Sequence, residues 1–150
     1  MGDNFRLMRF YLWLLALFTA GRWALGFAGV DYAKAHQVFS IVTLSLIASA
    51  HHAAFARAFQ GYGLKGAIGL GMTIGATAQI VIFVSTALSY GLGLETYFNA
   101  PQALNSPAAL AFGAAMIARA GGLVANTITN GIAAAIGWAM GATLPRTQTA

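Results

Sequence analysis

Long apolar segments separated by short polar connections dominate this sequence. A helix needs about 20 mainly apolar residues to cross the hydrocarbon core of a bilayer, and four such segments are predicted at residues 8–27, 35–59, 64–91 and 122–143. Charged residues make up only 7% of the chain, whereas soluble domains carry about 25%. We therefore expect a single integral membrane domain over residues 1–150, folded as an all-α four-helix bundle.

The last apolar region, from Ala108 to Leu144, is too long for one crossing. A single helix over this region would exceed about 50 Å, because each residue adds about 1.5 Å. Arg119 is followed by Gly121-Gly122, and glycine favours a break in a helix. The sequence therefore predicts an additional interfacial or re-entrant helix over 108–120, placed before the last span at 122–143.

The basic residues are scattered singly, which excludes a nucleic-acid partner and instead suggests membrane topology. Basic residues accumulate on the cytoplasmic side of a membrane. With four crossings, one side receives Arg6, Arg9, Arg57, Lys65 and Arg146. The other side receives Arg22, Asp31, Lys34, Glu95 and Arg119. This pattern predicts both termini in the cytoplasm, in a bacterial inner membrane, with membrane lipids as partners.

Small residues mark the predicted contacts between helices. Gly71 and Gly75 form a GxxxG step in the third span, and Gly137 lies on the polar face of the fourth. Glycine at this spacing allows helix backbones to approach closely in lipid. We expect these three glycines to pack helices within one chain, although the GxxxG step is also found in dimers.

Polar side chains within the spans indicate which helix faces point inward, because such groups are costly in contact with lipid. At about 100° per residue, one face of the second span carries His36, Ser40, Thr43, Ile47 and His51. Similar faces occur on the third and fourth spans, and several polar residues fall at the non-cytoplasmic level. We predict a ligand-binding pocket there, with the candidate residues Arg22, His36, Ser40, Gln79, Thr86, Tyr90, Asn126 and Asn130. A network that only packs helices, together with anchors at the membrane interface, explains the same residues and is the interpretation that the sequence favours, so the pocket is a hypothesis.

Two arginines fall within or beside the predicted spans. Arg22 is expected to form an ion pair with Asp31 or Glu95, or alternatively to hold a ligand. Arg119 is a candidate for binding a lipid phosphate or another anionic ligand.

All three histidines fall in the second predicted span. A b-type haem with two histidine ligands needs them on different helices, so it would require a homodimer or a partner subunit. Neighbouring His51 and His52 diverge by about 100° around a helix, and no cysteine is present. No metal site is predicted, and the cofactor is left open, with haem b as one possibility.

Motifs typical of enzymes, such as GxSxG, HExxH or a Walker loop, are missing from the sequence. We expect a non-catalytic integral membrane subunit that scaffolds or completes a larger assembly, with protein partners or copies of itself, and that binds lipid or quinone in the polar pocket. Two alternatives stay open: a small-solute transporter or channel acting as a homo-oligomer, and a haem protein formed across a dimer interface.

Overall fold

Helices form all the regular structure in the described part of the chain, which is residues 6–144 of a computed structural model. The α-helices in chain order are α1 (Arg9–Phe27), α2 (Tyr32–Ala35), α3 (Ile41–Gln60), α4 (Leu64–Gly91) and α5 (Phe112–Met140), with 3-10 turns at Pro101–Leu104 and Gly141–Thr143. Three segments are long and apolar enough to cross a membrane: Arg9–Phe27, Leu64–Gly91 and Phe112–Thr143. The all-helical fold class is confirmed, and these three segments agree with the sequence as candidates for membrane spans.

The long helices run in alternating directions, so that the described chain starts and finishes at the same end of the molecule. At that end, Arg57 donates from Nη1 to the carbonyl oxygen of Trp138 at 2.9 Å. At the opposite end, the phenol of Tyr97 donates to the carbonyl oxygen of Val30 at 2.9 Å. The most extensive contact joins α4 to α5, and α3 packs against both of them. Helix α1 is attached to α4 by Tyr11, whose hydroxyl donates to the carbonyl oxygen of Ile74 at 3.2 Å.

The second long helix begins later than the sequence predicts. The expected span at 35–59 is wrong at its start, because α2 ends at Ala35 and α3 begins only at Ile41. Ser40 caps α3 by accepting a hydrogen bond from the backbone N–H of Thr43 at 3.4 Å. Phe39, just before this cap, adopts a left-handed backbone conformation with φ of 53°. His36 and Ser40 therefore lie in a turn rather than on a helix face.

The predicted inward face of this helix is also wrong. Ser45, Ser49 and Ala53 are completely buried, whereas Ile47 is 64% exposed and His51 also points away from the other helices. The inward face carries small residues because α5 approaches α3 very closely. A Cβ atom at Gly137 would clash with the backbone of Ala50. The side chains of Ile47 and His51 have no room on that face.

The predicted break at Gly121-Gly122 is wrong as well, since α5 runs unbroken from Phe112 to Met140. The interfacial or re-entrant helix expected at 108–120 is therefore not formed. Backbone groups in lipid must be hydrogen-bonded within the segment, which favours continuing the helix through glycine. The 29 residues of α5 span about 43 Å at about 1.5 Å each. It is shorter than a single helix over 108–144 would be, because residues 108–111 are not helical and Gly141–Thr143 form a 3-10 turn.

Glycines of α4 and α5 lie at the tightest helix contacts. Gly71 faces Ala134 and the backbone of Asn130, and a Cβ atom at Gly75 would lie 2.7 Å from Cβ of Asn130. These contacts join α4 to α5 within one chain. Small residues let the two backbones approach closely, which in lipid replaces the hydrophobic effect as the source of helix association.

Candidate functional site

A cavity of about 300 Å³ lies at one end of the molecule, between the end of α1, the turn before α3, and the helices α4 and α5. We call it the arginine cavity. Its polar lining residues are Arg22, Tyr32, His36, Gln37, Ser40, Thr43 and Arg119, and its apolar lining residues are Ile41, Val42, Ile82, Phe98 and Ala103. No carboxylate belongs to this lining. The cavity therefore contains two positive charges and no negative one.

Arg22 extends from the last two turns of α1 and is 8% exposed. Its Nη1 donates to the carbonyl oxygen of His36 at 3.3 Å. Its guanidinium carbon lies 5.5 to 5.8 Å from the ring centroids of Tyr32, Tyr97 and Phe98, a distance at which aromatic rings stabilise a cation. The predicted ion pair is wrong: across residues 6–144, neither Asp31 nor Glu95 lies within 4.0 Å of this guanidinium.

Arg119 extends from the second turn of α5 and fastens the connection between α4 and α5. Its Nε donates to Oγ1 of Thr86 at 2.9 Å, its Nη1 to the carbonyl oxygen of Ala103 at 3.0 Å, and its Nη2 to the carbonyl oxygen of Phe98 at 2.6 Å. All three acceptors are uncharged. They accept hydrogen bonds from all three nitrogen atoms of the guanidinium, but they do not compensate its positive charge.

The connection between α4 and α5 that Arg119 contacts also has hydrogen bonds within itself. The side chain of Asn99 accepts from the backbone N–H of Thr96 at 2.8 Å and donates to the carbonyl oxygen of Leu94 at 2.8 Å. Tyr97 is 3% exposed, and burial raises the pKa of its phenol. This phenol stays protonated at neutral pH and keeps its hydrogen bond to the carbonyl oxygen of Val30, in the connection after α1. This segment contributes Phe98 and Ala103 to the lining of the arginine cavity.

A second cavity, of about 180 Å³, adjoins the first and is lined by the amide side chains of Gln79, Asn105 and Asn126. We call it the amide cavity. The two cavities share the lining residues Val42, Ile82, Ala103 and Arg119. Gln79 is 4% exposed, and its Nε2 has no hydrogen-bond partner among the described residues. An unpaired buried donor is costly, so Gln79 is the side chain in this region with the strongest need for a partner.

The structure distributes the predicted ligand-binding residues over several places. Arg22, His36 and Ser40 line the arginine cavity, and Gln79 and Asn126 line the amide cavity. Thr86 touches neither lining directly but accepts from Arg119.

Two other predicted residues lie apart from both cavities. The hydroxyl of Tyr90 donates to the carbonyl oxygen of Leu110 at 2.7 Å, beside a separate groove. Asn130 is completely buried in the contact between helices, where Ser49 donates to its Oδ1 at 2.7 Å. Both residues are part of the packing of the helices and the connecting segment.

Sequence reasoning did not identify Phe98 and Ala103 as site residues. Their contribution comes from backbone carbonyl groups, which every residue has, so their side chains gave no signal. The only available signal was Arg119, a cation inside an apolar segment that needs nearby acceptors.

The three histidines lie in different surroundings. His36 lies at the arginine cavity with Nδ1 3.2 Å from the carbonyl oxygen of Ala33, and Nδ1 of His52 lies 2.8 Å from that of Ala48. His51 is exposed and contacts His52 edge to face. Within residues 6–144, no group of three or more potential metal ligands comes together.

Similarity to known proteins gives no indication of function. Neither models of protein families, nor curated proteins, nor solved structures match the chain. The two adjoining cavities and their unusual charge are therefore the features from which a function has to be inferred.

Proposed function

We propose that the chain is a non-catalytic integral membrane subunit that holds a lipid or a quinone in the arginine and amide cavities. The observation that carries this proposal is the convergence of Arg22, Gln79 and Arg119, from three different helices, on adjoining cavities. Polar groups within membrane helices are costly and usually belong to a functional site. A cavity of about 300 Å³ is also at the lower end of the size range, about 300–1,000 Å³, of small-ligand sites.

The test of ligand binding is to fill the cavity without changing its charge. Ala103 lines both cavities, whereas its neighbour Gln102 is exposed on the same 3-10 turn. We expect Ala103→Trp to displace lipid or quinone that native mass spectrometry detects on the purified protein, and Gln102→Trp to retain it. Equal retention by both variants, or no bound small molecule on the parent protein, would contradict the proposal.

We propose further that α3 crosses the membrane together with the other three long helices, giving a four-helix bundle with both termini in the cytoplasm. Helix α3 packs against α4 and α5, and it ends at the same level as α5, where Arg57 bonds to Trp138. Its 20 residues span about 30 Å at about 1.5 Å each, which matches the hydrocarbon core of a bilayer. The end of the molecule that contains Arg6, Arg9, Arg57 and Lys65 has no acidic residue within the described chain. By the positive-inside rule, this charge distribution supports a cytoplasmic position for that end, and we propose a bacterial inner membrane as the location.

The absence of cysteine from the sequence makes this topology easy to test. Single cysteines at Lys34, Gly63 and Gln102 would be treated with a membrane-impermeant maleimide on intact cells. Four crossings predict labelling at positions 34 and 102, and labelling at position 63 only after permeabilisation. Labelling of positions 34 and 63 from the same side would show that α3 does not cross.

The outward face of α3 supports the role of a subunit in a larger assembly. His51 is exposed between Ile47, which is 64% exposed, and Phe55, which is 45% exposed. A histidine in contact with lipid tails lacks hydrogen-bond partners, whereas a partner helix or a second copy can supply them. We expect His51→Leu to weaken association on native gels, and the matched change Ile47→Leu to leave it unchanged.

The same histidine is the observation that favours the haem alternative. A haem with two histidine ligands would need histidines from two different chains. The exposed His51 residues of two copies could bind one haem from opposite faces. An absorption spectrum of the purified protein tests this alternative. A Soret band that is lost in His51→Leu would support haem binding by His51. A spectrum without a Soret band would contradict it.

A further inference from the structure

We infer that the arginine cavity binds the phosphate group of its ligand, so that the ligand is an anionic phosphate compound and not a neutral quinone. This inference rests on the proposed function and specifies the chemistry of the same site. Arg22 on α1 and Arg119 on α5 place two guanidinium groups on one cavity of about 300 Å³ that has no carboxylate in its lining. Two like charges that share a partly buried cavity repel each other, and an anion in that cavity would offset the repulsion.

The hydrogen bonds of the two arginines differ in a way that assigns them different roles. A guanidinium has five N–H groups, and Arg119 uses three of them on Thr86, Ala103 and Phe98. Arg22 uses one, to the carbonyl oxygen of His36, so four of its five N–H groups have no acceptor within residues 6–144. Arg119 is therefore held in place as a fixed charge, and Arg22 is the arginine with free donors.

A phosphate group matches these free donors better than any other common group in a membrane. Guanidinium groups bind phosphate through paired hydrogen bonds that are stronger than bonds between neutral groups. Ser40 adds a hydroxyl at the same cavity, where its Oγ accepts from Oγ1 of Thr43 at 3.0 Å and its own hydrogen stays free to donate. A quinone carbonyl would leave both charges uncompensated.

The positive charge of Arg22 beside its aromatic neighbours also limits which headgroups the cavity can bind. The guanidinium of Arg22 already lies near the rings of Tyr32, Tyr97 and Phe98. A ligand with a cationic headgroup would bring a third positive charge to this place. We therefore expect the cavity to distinguish anionic from zwitterionic lipids, although both contain phosphate.

The experiment compares four probes on the purified protein in a neutral detergent: phosphatidylglycerol, phosphatidylcholine, inorganic phosphate and a short-tailed benzoquinone. Binding is read from native mass spectrometry and from tryptophan fluorescence, to which Trp23 contributes from its position on Phe98, with ring centroids 5.5 Å apart. We expect phosphatidylglycerol to bind at least tenfold more tightly than phosphatidylcholine. Binding of inorganic phosphate as well would show that the phosphate group is sufficient, and binding of the lipid alone would show that its glycerol and acyl parts are needed.

The variant Arg22→Gln is expected to reduce binding of the anionic lipid at least tenfold. The matched control is Lys34→Gln, which removes the same charge from an exposed side chain near the cavity. An equal loss of lipid binding in both variants would show that any nearby positive charge has the same effect as Arg22, and it would overturn the inference. If Arg22→Gln does not fold, the parent protein still gives an answer: phosphatidylglycerol must raise its unfolding temperature more than phosphatidylcholine does.

The outcomes separate this inference from the proposed function. Tight quinone binding with no binding of either anion overturns the phosphate assignment, while the proposed lipid or quinone site stands. Binding of inorganic phosphate without any lipid or quinone upholds the phosphate assignment and contradicts the proposed function. If none of the four probes binds, both are wrong.

Discussion

The hydroxyl of Ser49 on α3 donates to Oδ1 of Asn130 on α5 at 2.7 Å, and both residues are completely buried. The amide of Asn130 in turn donates from Nδ2 to the carbonyl oxygen of Asn126 at 2.8 Å. This chain of hydrogen bonds lies between the small residues that bring α3, α4 and α5 together. It gives the contact a polar interaction that depends on the exact rotation of each helix.

Removal of either side chain should therefore weaken the contact between α3 and α5. Hydrogen bonds between membrane helices contribute about 0.6 kcal/mol on average and about 1.7 kcal/mol at most. We expect Ser49→Ala to destabilise within this range, and the double variant with Asn130→Ala to show a coupling energy of similar size, measured by reversible unfolding in detergent. Thr73→Ala is the control, because the hydroxyl of Thr73 bonds only to its own helix at Gly69. A coupling energy near zero would contradict this role.

Gly75 should tolerate alanine far less well than Gly69, although both lie on α4. A Cβ atom at Gly75 would lie 2.7 Å from Cβ of Asn130, whereas at Gly69 it would meet nothing within 4 Å. Overpacking costs about 1–3 kcal/mol, so Gly75→Ala should lower the unfolding temperature in detergent, and Gly69→Ala should not. Native gels on the same samples would show an unchanged oligomeric state, because the contact lies within one chain. Loss of an oligomer without loss of stability would indicate a dimerisation motif instead.

The bounds of α1 and α4 could be predicted from the sequence because hydropathy and the turn at Gly61 and Gly63 mark them. The start of α3 could not, because Ser40 and the unusual backbone at Phe39 interrupt an apolar segment that reads as continuous. The ring of Phe39 packs against α1 at Gly21, where a Cβ atom would clash with it. This contact explains why the backbone turns at Phe39 and does not continue as a helix. Such a tertiary contact has no signature in the periodicity of the sequence.

The candidate site could be predicted only in part, for a related reason. Arg22, His36 and Ser40 were expected at one level and do line one cavity. The position of Arg119 depended on whether α5 breaks at Gly121-Gly122. Because the helix continues, Arg119 lies beside Thr86 and donates to its hydroxyl. Hydropathy alone does not predict which residues of two helices come into contact.

Arg119→Gln should loosen the segment between Phe98 and Ala103 without unfolding the helices. Hydrogen bonds from a charged donor contribute about 1.5–3 kcal/mol each, and both carbonyl groups of this segment would lose such a donor. We expect amide hydrogen exchange across residues 98–104 to become at least tenfold faster, measured by mass spectrometry. Lys34→Gln is the matched control and should leave the exchange unchanged. Equal protection in Arg119→Gln would show that the network around Asn99 holds the segment by itself.

Gln79→Met should raise the stability of the protein when the amide cavity is empty. The Nε2 group of Gln79 is buried without a partner among the described residues, and an unsatisfied buried donor costs about 1–3 kcal/mol. Methionine keeps the length of the side chain but removes that donor, so the free energy of unfolding should increase by a similar amount. Gln37→Met is the control, because Gln37 is exposed at the edge of the arginine cavity and has no such penalty to relieve. A loss of stability in Gln79→Met would mean that the amide has a partner in the purified protein, either ordered water or a bound ligand, and mass spectrometry under native conditions would distinguish the two.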